Sequence, residues 1–229
     1  MKWNPVTALL DIIFPDICPV CGNCLVGQEK CICLSCLYNL PKTNYHLLNS
    51  NPVEQRFWGK VDVFRASSFF FYHKGSDFQK ILVQIKYKGN KKLAFELGKY
   101  AGVALMESED FNSVDVIVPV PLHPEKRKER GYNQSEWIVR GIASVMGKPV
   151  DNESLIRIKD NVSQTSKTVY ERYENTFGIF YLLDTGVFEN KHVLLVDDVL
   201  TTGSTVEACV HALQRTKNIK TSVFTLAVA

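Results

Sequence analysis

No apolar run in the 229 residues approaches the length of a membrane span, which leaves a helical membrane protein without support. Nor is there an excess of either charge. Lys and Arg number 27 against 24 Asp and Glu, for a formal net charge of +3. That is too little for the whole surface to attract a polyanion, and only local clusters could do so. Internal repeats and low-complexity tracts are lacking, so a solenoid or a long disordered tail has no basis. An export signal is lacking too. Ala8-Leu9-Leu10 and Ile12-Ile13-Phe14 are split by Asp11 and stop at Pro15, too short and too interrupted for a secretory segment. A short amphipathic helix is expected there instead, in a cytoplasmic protein whose cysteines stay reduced. What remains is an ordinary soluble composition, 45% apolar and 22% charged. The length suits one medium α/β domain with a small appendage.

Cysteine is concentrated in one place: Cys18, Cys21, Cys24, Cys31, Cys33 and Cys36 crowd the N-terminal part, and only Cys209 lies elsewhere. In a reducing compartment a disulfide knot is disfavoured. Cys18-x-x-Cys21 and Cys33-x-x-Cys36 have the form of a four-thiolate zinc site, each pair making a knuckle with two sulfurs aimed at one tetrahedral centre. Gly22 suits the knuckle turn because glycine accepts positive φ. Cys24 and Cys31 leave alternatives open: Cys21-x-x-Cys24 has the same spacing, and Cys18, Cys21 and Cys24 together resemble part of an iron–sulfur pattern. With four thiolates the sphere is closed, so a structural role is expected, stapling a segment too small for its own core. Cys209 reads as a small buried hydrophobe.

Further along, Lys42 to Val61 shows no periodicity and reads as connector, and Phe64 to Tyr72 as an aromatic-rich strand. Phe78, Ile81, Leu82 and Ile85 recur at helical spacing, as do Leu93, Leu97, Tyr100, Ala101, Ala104 and Leu105. Strands are expected over Val114–Val120, Phe177–Leu183 and Ser222–Val228, and helices over Gln134–Met146, closed by Gly147, and from Ser204 to about Thr216. Alternating strands and helices predict a mostly parallel sheet with helices on both faces, where ligands sit beyond the carboxyl ends of the strands.

The most informative stretch is Val193 to Thr205, V-L-L-V-D-D-V-L-T-T-G-S-T. A buried apolar strand meets Asp197 and Asp198, then a small-residue loop leads to a helix N-terminus. Free N–H groups there favour a phosphate. Two carboxylates can accept from a sugar diol or share a divalent cation. Together these describe a ribose 5-phosphate site. The plainer alternative is that Ser204-x-x-Glu207 forms a capping box and nothing more.

Two basic stretches accompany it. Lys126, Arg127, Lys128 and Arg130 follow the Val114–Val120 strand, where cations could take up the charge of a leaving pyrophosphate, or could form a solvated loop. Lys86-Tyr87-Lys88-Gly89-Asn90-Lys91-Lys92 suits a phosphate, a nucleic-acid backbone or a lysine-rich helix end equally. His123, between prolines, is either a proton donor or an exposed loop residue. Glu171-Arg172 and Asn175 carry no assignable role.

The chain resembles the ComF / GntX group of phosphoribosyltransferase-like proteins over nearly its whole length. The resemblance rests on C-P-V-C-G at 18–22, C-L-S-C at 33–36, I-K-Y-K-G-N at 85–90 and V-P-V-P-L-H-P at 118–124. R-G-Y-N-Q at 130–134, Q-T-S-K at 164–167, E-R-Y-E-N at 171–175 and Val193–Thr205 complete it, the last resembling the phosphoribosyl pyrophosphate (PRPP) motif of type I phosphoribosyltransferases. Cys24 and Cys31 are extra to the pattern. The resemblance implies a zinc-ribbon module over 1–42, a connector over 43–63 and a type I phosphoribosyltransferase-like α/β domain over 64–229 with a mostly parallel, doubly wound sheet. Zinc would sit on Cys18, Cys21, Cys33 and Cys36. Asp197 and Asp198 would bind the ribose hydroxyls, and Thr201, Thr202, Gly203, Ser204 and Thr205 the 5-phosphate. Lys126, Arg127, Lys128 and Arg130, with Mg²⁺, would face pyrophosphate; Arg127 and Arg130 join the acidic pair as expected catalytic residues. The implied setting is competence, beside single-stranded DNA and a helicase partner. Either phosphoribosyl transfer to an unknown acceptor or a non-catalytic PRPP-sensing or DNA-binding adaptor fits.

Overall fold

A computed structural model describes residues 15–158 and 179–229. The expected helix over Ala8–Phe14, the Q-T-S-K and E-R-Y-E-N segments and the first residues of the Phe177 strand lie outside them.

The centre is a parallel sheet of β1 (Arg65–Phe71), β2 (Val116–Pro119), β5 (His192–Leu200) and β6 (Lys220–Val228), in the order β1-β6-β5-β2. A two-stranded antiparallel ribbon, β3 (Leu155–Arg157) with β4 (Phe180–Leu182), stands beside it. The near-continuous apolar run of β5 is what a parallel strand covered on both faces requires. Pro119 pairs with Val196, so the chain leaves β2 and β5 on the same edge.

Five longer helices flank the sheet: α1 (Gln79–Tyr87), α2 (Lys91–Met106), α3 (Pro124–Arg130), α4 (Gln134–Met146) and α5 (Ser204–Leu213). On one face Ile81, Ile85, Leu93, Leu97, Ile138 and Ile142 pack with Leu194, Val196 and Leu226, and the cysteine module extends this layer through Cys18, Val20 and Ile32. On the other, Val206, Cys209, Val210 and Leu213 of α5 pack with Val193, Leu195, Val223 and the β3–β4 ribbon. Cys209 is a fully buried member of that second layer.

Segment 42–61 departs from the expected connector. Its order comes from capping, not from periodicity. Asn51 is buried and accepts from the Val53 and Glu54 amides at 2.9 and 3.2 Å, while its Nδ2 donates to the Ala66 carbonyl of β1 at 2.9 Å. Glu54 accepts from Arg65 Nε at 2.7 Å; Arg65 also pairs with Asp110 and donates to the Leu48 carbonyl at 2.9 Å. A buried arginine satisfied by two carboxylates and a carbonyl holds this segment on the sheet edge, and breaking such a cluster by removing one partner is costly.

α2 and α4 cross at glycines. A methyl added at Gly141 would overlap the Phe95 carbonyl oxygen, and one at Gly98 the Ile138 carbonyl oxygen. Backbone cannot yield as a flexible side chain can, so the helices would have to separate, with a cost at or above the ~1–3 kcal/mol usual for overpacking. Gly141→Ala is therefore expected to lower the urea midpoint well below that of a control substitution at the exposed Arg140; equal midpoints would show that the crossing is looser than described.

Candidate functional site

The strand expected to end at the acids runs through them: β5 continues to Leu200, placing Asp197 and Asp198 in its last half. Asp198 is buried, whereas Asp197 lies deep in the sheet edge with part of its surface open. Asp197 Oδ1 accepts from Ser135 Oγ at 3.0 Å and from the Asp198 amide at 2.8 Å. Asp198 Oδ1 lies 3.1 Å from the Lys86 ammonium. Burial and then the charge of Asp198 push the Asp197 carboxyl up to about 7, against the pull of those hydrogen bonds and of Lys86.

Beyond Leu200 the loop Thr201-Thr202-Gly203 turns into α5. Gly203 has φ +90°, a conformation side chains avoid, and Phe57 lies against it. The capping-box alternative is overturned. Ser204 is the first helical residue, the cap position is Gly203, and no side chain at that position bonds the first turn. Glu207 instead stands 3.8 Å from Lys60. Only Thr202 Oγ1 leans toward the Ser204 amide, at 3.4 Å. Thr201, Thr202, Ser204 and Thr205 are exposed, so an uncapped helix start opens to solvent directly past two carboxylates. Arg56 braces the loop from outside, donating to the Thr201 carbonyl and, at 2.6 Å, to that of Ala229.

The basic stretch after β2 forms a helix, α3, and not a loop. Pro124 sits in its first turn, His123 caps it by accepting from the Glu125 amide at 3.3 Å, and Gly131 ends it at φ +72°. His123 thus has a capping role. Helix geometry also divides the cations. Arg127 reaches Glu136 at 3.1 Å, Arg130 lies over the Tyr87 ring at 5.4 Å, and Lys126 and Lys128 are exposed. At ~100° per residue, Lys128 and Arg130 point roughly 160° apart and do not face one phosphate together.

Residues 130–135 explain how the site is assembled. Tyr132 is buried and its hydroxyl donates to the Ile85 carbonyl of α1. Asn133 accepts from the Ser135 amide at 3.1 Å, capping α4, and donates to the Val120 carbonyl at 3.0 Å. Ser135 is thereby carried to Asp197. The second lysine-rich stretch also divides: Lys86 goes to Asp198, Lys91 lies over Tyr132 and Trp137, and Lys92 pairs with Asp16 at 3.2 Å. Ser135 and Arg56 carry no signal in their own surroundings, and only R-G-Y-N-Q, with its stop, anchor and cap residues, pointed near Ser135; Lys86 lay in the lysine-rich stretch, which did not name Asp198 as its partner.

The cysteines meet in a separate cluster. The sulfurs of Cys18, Cys21, Cys33 and Cys36 lie within 4.8 Å of one another. A tetrahedron with metal–sulfur bonds of about 2.3 Å has edges of roughly 3.8 Å, and the Cys21–Cys33 separation is 3.7 Å. The donor set fits a zinc ion. Cys24 is exposed and Cys31 is buried outside the cluster, its thiol pushed up to about 12 by burial and then by Glu96. Burial opposes ionisation of Cys18 as well, yet the Cys33, Cys21 and Val20 amides bring it down to about 7. One thiolate then forms readily, as metal capture requires.

The model of the phosphoribosyl transferase domain family matches residues 87–225, more than half of the chain. The chain belongs to that family. A relative in Escherichia coli K12, the DNA utilization protein YhgH, is 27% identical over 207 residues, covering 87% of this chain and 84% of that one. Competence protein ComFC of Streptococcus pneumoniae is 25% identical over 224 residues, 94% and 90% of the two chains. Competence protein F of Haemophilus influenzae reaches 33% over 93 residues, 40% and 41% of the chains. Among solved structures, the glutamine PRPP amidotransferase from B. subtilis matches with a TM-score of 0.41 and 20% identity, over 62% of this chain and 30% of that chain, and an adenine phosphoribosyltransferase with 0.39 and 13%, over 67% and 76%. The resemblance to ComF proteins and the type I phosphoribosyltransferase architecture read from the sequence stand. Among the described residues no helix is long and apolar enough to cross a membrane.

The cluster separates the cysteines by role. Cys36→Ser is expected to cut the zinc retained after dialysis, measured by atomic emission, to well under half of the wild-type content, and Cys24→Ser to leave it intact. A loss with Cys24→Ser equal to that with Cys36→Ser would point to a different ligand set.

Proposed function

We propose that the protein binds PRPP at the carboxyl edge of β5 and transfers its phosphoribosyl group, with Mg²⁺, to an acceptor nucleophile. The observation that carries this is the juxtaposition of two carboxylates with the uncapped start of α5. Asp197 and Asp198 accept from the ribose hydroxyls, while Thr201 to Thr205 and the first-turn amides receive the 5-phosphate. Arg127 and Arg130, with Lys126 on the same side of α3, add positive charge on the pyrophosphate side, and Lys128 faces away from Arg130. Mg²⁺, when bound with PRPP, would supply further positive charge for the departing pyrophosphate. In the transfer the bond from the anomeric carbon to pyrophosphate breaks, and its electron pair leaves with pyrophosphate. The acceptor's lone pair forms the new bond and the acceptor gives up a proton. The acidic pair lies where positive charge develops on the sugar ring. A zinc ion on the four cysteines would hold the N-terminal module together. The names of the relatives suggest competence and DNA use as the setting; a helicase partner and a cytoplasmic site of action belong to the proposal itself.

Calorimetry with PRPP and Mg²⁺ tests the binding step. Asp197→Asn/Asp198→Asn is expected to weaken PRPP at least about tenfold, the scale of losing charged hydrogen-bond acceptors. Unchanged affinity would remove the acidic pair from the site. Pyrophosphate release from labelled PRPP, assayed with bases and oligonucleotides as acceptors, separates an enzyme from a sensor.

A second reading, single-stranded DNA binding, is favoured by one surface. Tyr87 is 65% exposed with Arg130 over its ring, and the exposed Lys88 and Lys91 follow it in the chain. Aromatic faces edged by cations suit stacked bases and a phosphate backbone. Oligonucleotide affinity is expected to fall steeply with salt, and Lys88→Glu/Lys91→Glu to flatten that slope; a salt-independent affinity would speak against this surface.

A further inference from the structure

Each acid of the pair has its own support, and the two supports differ. Asp197 accepts hydrogen bonds from neutral donors, Ser135 and the Asp198 amide, and feels Lys86 only as a weaker pull behind them. Asp198 has one cation among the described residues, Lys86 at 3.1 Å, and both side chains are largely enclosed, 20% exposed for Lys86 and 10% for Asp198. A lysine in the last turn of a helix ordinarily extends into water, where the helix dipole favours it. Lys86 is instead carried inward, and α1 is fastened so that it stays there. Ile81 and Ile85 are fully buried on the helix's inner face. Tyr132 donates to the Ile85 carbonyl, one residue before the lysine. At the other end Lys80 donates to the Val20 carbonyl in the cysteine module at 2.9 Å. An ion pair enclosed in this way is unlike a surface pair, because neither charge has water to fall back on.

We propose that Lys86 is a positioning residue of the PRPP site: it fixes the Asp198 carboxylate, turned and charged, for a ribose hydroxyl. The proposal rests on the PRPP reading above. Two carboxylates on neighbouring residues repel, and without the ammonium Asp198 would turn toward solvent and away from the diol. Lys86 thereby acts through Asp198. Its loss matters when residue 198 is an acid and matters little when it is a neutral amide, which needs no counter-charge.

A double-mutant cycle reads this directly. PRPP affinity in Mg²⁺ is measured by calorimetry for wild type, Lys86→Met, Lys86→Arg, Asp198→Asn and Lys86→Met/Asp198→Asn, each first shown to be folded by its thermal transition. Lys86→Gln serves in the same role if the methionine variant does not fold. Lys86→Met is expected to weaken PRPP about tenfold, Lys86→Arg to recover most of that loss, and the double variant to bind no worse than Asp198→Asn alone. A Lys86→Met protein that binds like wild type, or a double variant that adds the full tenfold loss to that of Asp198→Asn, overturns the role while the PRPP reading survives. Absence of PRPP binding by the wild type overturns that reading and this role with it.

Discussion

Two negative side chains on consecutive residues, one of them buried, are the constraint around which this structure is arranged. Charge taken out of water must be matched by hydrogen bonds and opposite charge, or the group takes up a proton. Asp197 and Asp198 receive a hydroxyl from α4, an amide from their own strand and an ammonium from α1. Two separate helices therefore converge on a single strand end. The parallel sheet makes this possible, since β2 and β5 end side by side and deliver their following segments to one edge.

The compensating groups have to be held in place, and most of the polar contacts near the site do that. Gly131 stops α3, Tyr132 fastens α1, Asn133 caps α4, and each step brings the next residue into position. The glycine crossing of α2 and α4 sets how close α4 comes to the layer beneath it. Opposite, Arg56 and Phe57 support the loop Thr201-Thr202-Gly203 from a segment that itself depends on Arg65 and its two acids. The cysteine module joins the same frame through Lys80, so a metal on its four sulfurs would stiffen a layer that ends at Lys86.

Much was legible in the sequence where the signal is local. The apolar run of β5, the helical spacing in α1, α2 and α4, and Gly147 closing α4 at φ +66° each report on neighbours a few residues away. The C-x-x-C pairs named a cluster because ligand spacing is itself local. The failures share the opposite cause. Segment 42–61 has no period, and its order comes from a buried Asn–Glu–Arg cluster that joins distant residues. The capping box at Ser204 is a real pattern, but Gly203 adopts a left-handed turn that moves the helix start by one residue and leaves the box unformed. Four cations in five residues read as one patch, but α3 turns Lys128 away from Lys126 and Arg130.

From the sequence alone follow the α/β class, the strand that carries Asp197 and Asp198, the phosphate-type loop after it, and four cysteines spaced for a metal. These are written in contiguous residues, where hydrophobic period and backbone chemistry decide the outcome. Only the tertiary structure assigns the partners: Ser135 to Asp197, Lys86 to Asp198, Arg56 to Thr201, Arg127 to Glu136. The reason is physical. An enclosed charge is neutralised by whatever group the packing of other elements brings within about 3 Å, and that distance is set by the sheet and its helices, far from the residues whose charge it balances.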